Sequence, residues 1–194
     1  SPYSASKASS DHLVKAWNKS FGLPTIITNC TNNYGPYQFP DKLIPLVILK
    51  ALQKKQIPIY GDGSHIRDWL FVEDHIDAIL KVCQFGKIGK SYCIGGNCEK
   101  SNLELVTSIC SLLNKYKPDS NMEYKSLISH VEDRPGHDKR YALNTDLIKK
   151  ELGWVPNHNF DDALDKTVLW YLKNMHWVEL MMSKNKYFGD RLGL

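Results

Sequence analysis

The sequence predicts an α/β fold, and three observations carry the prediction. Segments with apolar residues at helical spacing alternate with short runs rich in β-branched residues, the strand-like runs end on polar or glycine-containing turns, and no repeat or low-complexity tract breaks the alternation. The 194 residues are 42% apolar and 24% charged, with 12 Gly, 9 Pro and 5 Trp. That composition excludes a collagen, a coiled coil or whole-chain disorder and is enough for a buried core.

Residues 5–21 place Ala5, Ala8, Leu13, Ala16, Trp17 and Phe21 in an imperfect helical stripe, stopped by Gly22 and Pro24. Residues 25–30 read as a mostly buried strand that delivers the polar turn Thr31-Asn32-Asn33-Tyr34-Gly35-Pro36, where an open α/β sheet presents ligand contacts. A helix over 42–52 with Pro45 near its start, a strand over 57–60 and the turn Gly61-Asp62-Gly63 follow. Residues 68–72 form a short extended piece, 74–85 a helix stopped by Gly86 and Gly89, and 91–94 a strand ending at Gly95-Gly96.

Ser101 and Glu104 have capping-box spacing ahead of Leu105, Val106, Ile109, Leu112 and Leu113, which predicts a helix start at this point. Residues 122–131 are predicted as a strand and 132–138 as a charged loop. Asn144 is expected to cap a short helix ending at Leu152-Gly153, and 160–172 to form another helix.

The net charge of +4, from 25 basic and 21 acidic residues, is spread along the chain, so no nucleic-acid partner is expected. The longest strongly apolar run, 43–49, contains Pro45 and is too short to span a membrane, so no membrane partner is expected either. Five cysteines without a CxxC pair favour a reducing, cytoplasmic compartment, and the seven histidines show no ligand spacing, so no metal is expected.

Tyr3 and Lys7 stand four residues apart, which puts phenol and ammonium on one helical face. A lysine ammonium within about 4–6 Å favours a phenolate able to take a proton from an alcohol. This chemistry begins at once after Ser1, which is not an initiator Met, and no glycine-rich phosphate loop follows a first strand. The start therefore looks like a cut, and the chain is expected to be the carboxy-terminal part of a longer enzyme.

The segment Ser1-Pro2-Tyr3-Ser4-Ala5-Ser6-Lys7-Ala8 resembles the active-site helix of extended short-chain dehydrogenase/reductases that act on nucleotide sugars. With 31–36, Lys42-Leu43-Ile44-Pro45-Leu46, Pro58-Ile59-Tyr60-Gly61, Arg67-Asp68-Trp69 and Asp133-Arg134-Pro135-Gly136-His137-Asp138 in that order, nearly the whole chain is similar to the dTDP-glucose 4,6-dehydratase family. The resemblance implies the carboxy-terminal part of an extended Rossmann-like fold, with NAD-domain and substrate-lobe segments interleaved over 1–194. It also implies that the glycine-rich NAD fingerprint and an acidic Asp-Glu pair precede Ser1, and that the isolated chain is inactive.

The activity implied is dehydration of dTDP-glucose to a 4-keto-6-deoxy sugar, with transient oxidation by bound NAD. Tyr3 would be the base, Lys7 would tune it and bind the nicotinamide ribose, and Asn33 would contact the nicotinamide. Asn32, Lys42, Leu43, Ile44, Pro45, Leu46, Pro58, Ile59 and Tyr60 would surround nucleotide and sugar. Arg67 and Arg134 would meet the diphosphate, with Asn102, Asp133, Pro135, Gly136 and His137 completing the substrate side and Tyr187 a late contact. A homodimer is implied, with Leu13, Trp17 and the 74–85 helix supplying apolar surface. A nucleotide-sugar epimerase or decarboxylase of the same superfamily, or a noncatalytic binding fragment, remains an alternative.

Overall fold

Helix α1 (Pro2–Phe21) opens on Ser1, whose hydroxyl accepts the Ser4 N–H, with Pro2 at its start where a missing donor costs nothing. In this computed structural model, which describes residues 1–186, the helix begins three residues before its apolar stripe and ends at Gly22 in the left-handed region, φ 68°. Its stripe is not buried: Leu13, Trp17 and Phe21 are 61%, 53% and 72% exposed. Asn29 Nδ2 ties the helix to the sheet by donating to Asp11 Oδ2 at 3.0 Å.

Strand β1 (Ile27–Cys30) leads into β2 (Asn32–Tyr34), so part of the predicted polar turn is extended. The reason is a neighbour distant in sequence, since Asn32–Tyr34 pair in parallel with Trp69–Phe71. Helix α2 (Leu43–Leu52) starts ahead of Pro45, which is tolerated because the first four helical N–H groups have no intrahelical partner. Strands β3 (Ile57–Tyr60) and β4 (Ile66–Phe71), helix α3 (Val72–Phe85) and strand β5 (Ser91–Ile94) follow, with β1 and β5 parallel.

Strands β6 (Glu99–Ser101) and, later, β8 (Arg140–Tyr141) were not legible as strands, being short and without apolar alternation. Both exist because β4 offers them its edges, β6 antiparallel and β8 parallel. Helix α4 (Asn102–Tyr116) carries the full capping box, Glu104 N–H to Ser101 Oγ and Ser101 N–H to the Glu104 carboxylate. The predicted strand over 122–131 is half a strand: Tyr124–Leu127 is a 3-10 turn and only β7 (Ile128–Val131) is extended, parallel to β3. Tyr124 causes the change, its N–H donating to Asn114 Oδ1 and its hydroxyl to Lys117 O, which holds the segment against the end of α4.

Helix α5 (Asp146–Leu152) has Thr145 in the cap position, while the predicted cap Asn144 still accepts the Asp146 N–H at 2.8 Å. Helices α6 (Phe160–Lys173) and α7 (Met175–Lys184) complete the described chain; Tyr187 lies outside the described residues. Ile44, Ile48, Leu105, Ile109, Leu113, Leu164, Val168 and Tyr171 join α2, α4 and α6 in the main core. A second core gathers Leu70, Ala78, Val82, Tyr92, Ile94, Ile148 and Trp154. Strand β4 separates them, Trp69 and Phe71 facing the first and Leu70 the second. No helix among the described residues is long and apolar enough to cross a membrane.

Candidate active site

The site is assembled at the ends of the strands and at the start of α1. Tyr3 and Lys7 occupy successive turns of α1 and both are exposed. Tyr141 on β8 donates its hydroxyl to Cys30 O at 3.2 Å at the end of β1. Burial pushes the Tyr141 phenol up, with charge on Cys30, Cys93, Tyr3 and Asp138 adding to the effect, so Tyr3 and Tyr141 share one electrostatic neighbourhood. Tyr141 also lies opposite Arg67 in the β4–β8 register. One short strand therefore joins the end of β1 to the strand that carries Arg67.

On the β1–β2 turn, Asn33 Nδ2 donates to Thr31 O at 3.1 Å and to Cys30 Sγ at 3.2 Å, while Gln38 Nε2 donates to Asn33 O at 2.8 Å. Both amide hydrogens point back into the protein, which leaves Asn33 Oδ1 as a buried acceptor with no partner; Thr31 Oγ1 in the same turn is in the same condition. Such an acceptor fits a ligand that brings its own N–H, as a carboxamide does. Asn32 is half-buried beside it.

Across β4, Arg67 is partly buried and its Nη1 donates to Ile66 O at 2.7 Å. Burial lowers its pKa, Asp138 and Asp133 act in the opposite sense and Arg134 adds to the lowering, which sets β4 and the 132–138 loop in one field. Neither Arg67 nor Arg134 has an ion pair among the described residues, whereas Arg140 is taken by Glu99 with two contacts of 2.6 Å. Two unpaired guanidinium groups suit a diphosphate, each offering a planar fork. Lys42 is less available, its ammonium 2.8 Å from Asp41.

Asp133 is engaged within the site by its neighbours. Its Oδ1 accepts the Arg134 N–H at 2.9 Å and faces His137 Nδ1 at 2.7 Å, and its Oδ2 faces His65 Nε2 at 3.0 Å. The hydrogen bond from His137, aided by that charge environment, holds the carboxyl below its ordinary value. These contacts tie Asp133 to the loop backbone and to both imidazoles. Burial lowers the His137 pKa, the neighbouring Asp133 opposing it, and Tyr60 meets its ring edge-on at 6.0 Å.

Other expected contacts fall into two groups. Ile44, Pro45 and Ile59 are buried, Ile44 and Ile59 within the main core, so their side chains are committed to packing and only their backbone could meet a ligand. Leu43, Leu46, Pro58 and Asn102 are half-buried, and the Asn102 N–H donates to His65 O at 3.0 Å. Pro135 and Gly136 lie on the exposed loop, Gly136 at φ 66°. His65 and Tyr141 escaped the sequence reading because neither belongs to a spacing pattern; each acquires its role from a partner more than 60 residues away.

This is the architecture of the extended short-chain dehydrogenase/reductases, a Tyr-Lys helix beside parallel strand ends with an anion-facing lobe. The chain belongs to the GDP-mannose 4,6 dehydratase family, whose model matches residues 1–167. It is 58% identical over 183 residues to a dTDP-glucose 4,6-dehydratase of Shigella flexneri, covering 94% of this chain and 50% of that one. Among solved structures, the dTDP-glucose 4,6-dehydratase of Bacillus anthracis in complex with NAD superposes with a TM-score of 0.84 at 48% identity, over 93% of this chain and 55% of that one. The dTDP-glucose 4,6-dehydratase of Streptomyces venezuelae, also with NAD bound, gives 0.85 at 43% identity over 93% and 54%. The chain spans about half the length of these relatives.

Proposed function

We propose that the chain acts within an NAD-dependent dTDP-glucose 4,6-dehydratase, a lyase that converts dTDP-glucose to dTDP-4-keto-6-deoxyglucose. The similarity to the Shigella flexneri enzyme across nearly the whole chain carries this reading. The side chains support it.

Tyr3 takes the proton of the sugar 4-hydroxyl, and Lys7, one turn along α1, would hydrogen-bond the cofactor ribose. Asn33 Oδ1, a buried acceptor without a partner, would hold the cofactor by accepting a carboxamide N–H. When bound, NAD supplies a reversible two-electron acceptor, so no external reductant is consumed. Arg67 and Arg134 hold the diphosphate, with the loop kept in place by Asp133. The remaining contacts, from Asn32, Lys42 and Tyr60, lie around the sugar and base.

The decisive experiment uses the full-length protein with NAD and dTDP-glucose, following formation of the 4-keto product. Tyr3→Phe should keep the fold and slow the first oxidation by about 10²–10⁴-fold. An unchanged oxidation rate would remove Tyr3 as the base, and an unaltered sugar in the parent protein under NAD-binding conditions would refute the dehydratase reading.

We place the protein in the cytoplasm, a reducing compartment consistent with five free cysteines. We also infer a homodimer, supported by exposed Leu13, Trp17 and Phe21 on α1 and Ile76, Leu80 and Phe85 on α3. Sedimentation of the full-length protein at micromolar concentration as a monomer would overturn it.

A further inference from the structure

The turn between β3 and β4 and the loop after β7 meet through three side chains with metal-ligating atoms. His65 is fixed by its backbone, which accepts the Asn102 N–H at 3.0 Å, and its ring is almost fully buried. Its Nε2 lies 3.0 Å from Asp133 Oδ2, and His137 Nδ1 lies 2.7 Å from Asp133 Oδ1. The two imidazoles stack with centroids 3.9 Å apart and planes inclined by 18°. One donor atom from each residue falls within 4.8 Å of the other two.

We infer that His65, Asp133 and His137 form a binding site for a divalent cation of the zinc type. Two imidazole nitrogens and one carboxylate are the donor set such a cation prefers, and three protein ligands leave a fourth position for water or another oxygen. The spacing exceeds that around a bound ion, with Zn–N bonds of about 2.0–2.1 Å, so side-chain rotations must draw the donors inward. Asp133 is on a surface loop, whereas His65 supplies the anchor.

His65 has a further property that suits ligation. Its Nε2 is the ring nitrogen turned to Asp133 Oδ2, so the tautomer that carries its proton on Nδ1 presents the Nε2 lone pair to a metal at this point. A bound cation would replace two carboxylate–imidazole contacts by one centre that ties the β3–β4 turn to the 132–138 loop. The inference concerns these three residues, two of which lie on the loop that carries Arg134, and its metal titrations need no nucleotide sugar.

The test is titration of chelator-treated full-length protein with Zn²⁺ by calorimetry and with Co²⁺ by visible absorption. One equivalent should bind, with affinity lowered about tenfold or more by His65→Gln and by His137→Gln and unaffected by Cys83→Ser. The Co²⁺ spectrum should show ligand-field bands without a thiolate charge-transfer band. Absence of stoichiometric binding, parent-like affinity in both histidine variants, or a thiolate band would overturn the proposal. Should His65→Gln fail to fold, His137→Gln on the loop and the Co²⁺ spectrum of the parent protein decide the question.

Discussion

Replacing Asp68 by Ala should lower the melting temperature by about 8–16 °C. Asp68 is 1% exposed, and its carboxylate accepts the Gly96 N–H at 3.0 Å and the Cys98 N–H at 2.7 Å, which fastens β4 to the β5–β6 connection. Truncation leaves both donors buried without an acceptor, at about 1–3 kcal/mol each, or about 4 kcal/mol at mid-range. For a protein of this size each kcal/mol corresponds to about 2–4 °C. Asp68→Asn keeps one acceptor oxygen but turns an amide NH₂ toward the second donor, so about half the loss should remain. Circular-dichroism melts of the three proteins at pH 7 read the effect. A parent-like melt for Asp68→Ala, or a lower melt for Asp68→Asn than for Asp68→Ala, would refute this account of the hub.

Three further outcomes are expected. Gly96→Ala should destabilise by about 3 kcal/mol or more, because a Cβ there would stand 1.8 Å from Trp69 O and backbone cannot rotate away; wild-type-like soluble expression and melting would contradict the close approach. Glu151 is held down to about 2 by the hydrogen bond from Lys90 and then that from Tyr92, so its stabilisation is fully present above its ordinary value of 4.5 and is lost as pH falls toward 2. Glu151→Gln should therefore melt below the parent at pH 7, with the gap closing as melts are repeated down to about pH 3; a gap independent of pH would remove the ion pair as its cause. Arg67→Lys in the full-length protein should raise KM for the nucleotide sugar about tenfold with little change for NAD, because a lysine cannot reproduce the two-pronged contact with phosphate. Equal losses for both ligands would make Arg67 structural.

Much of the fold was legible because its signals are local. The capping box at Ser101 and Glu104, the stop at Gly22 and the strand over Ile57–Tyr60 all depend on residues a few positions apart, and the structure reproduces them. What was missed depends on distant partners. Strand β8 is two residues long and exists because Ile66 and Arg67 pair with it, and the 3-10 turn at Tyr124 is set by Asn114 and Lys117. The α1 stripe read correctly as a helix face while saying nothing about burial, since period alone does not distinguish a face turned to the core from one left exposed.

The candidate site divides along the same line. Tyr3 and Lys7 are one helical turn apart, so their relation is visible in sequence; that Tyr141, 138 positions beyond Tyr3, reaches Cys30 O is not. His65 illustrates the limit most clearly. A lone histidine after a glycine turn has no pattern to mark it, yet it stacks on His137 and shares Asp133 with it. Conversely, Ile44 and Ile59 sit inside recognisable motifs and still spend their side chains on the core, since a motif conserves backbone path as well as contacts.

Strand β4 makes binding and folding inseparable. Successive side chains alternate faces, so Trp69 and Phe71 enter the main core, Leu70 enters the second, and Asp68 turns toward Gly95 and Gly96 while Arg67 points to the other side. A slip of one residue would drive the Arg67 guanidinium toward the Gly96 N–H, donor against donor, and carry the Asp68 carboxylate to the opposite face, away from both its donors. Neither error can be relieved by a rotamer change within a strand buried from Asp68 to Phe71. The two hydrogen bonds of Asp68 therefore fix the register on which the position of Arg67 depends. Adding a β-carbon at Gly95, 2.6 Å from Asp68 Oδ2, would press on that carboxylate and transmit strain through one peptide to Arg67.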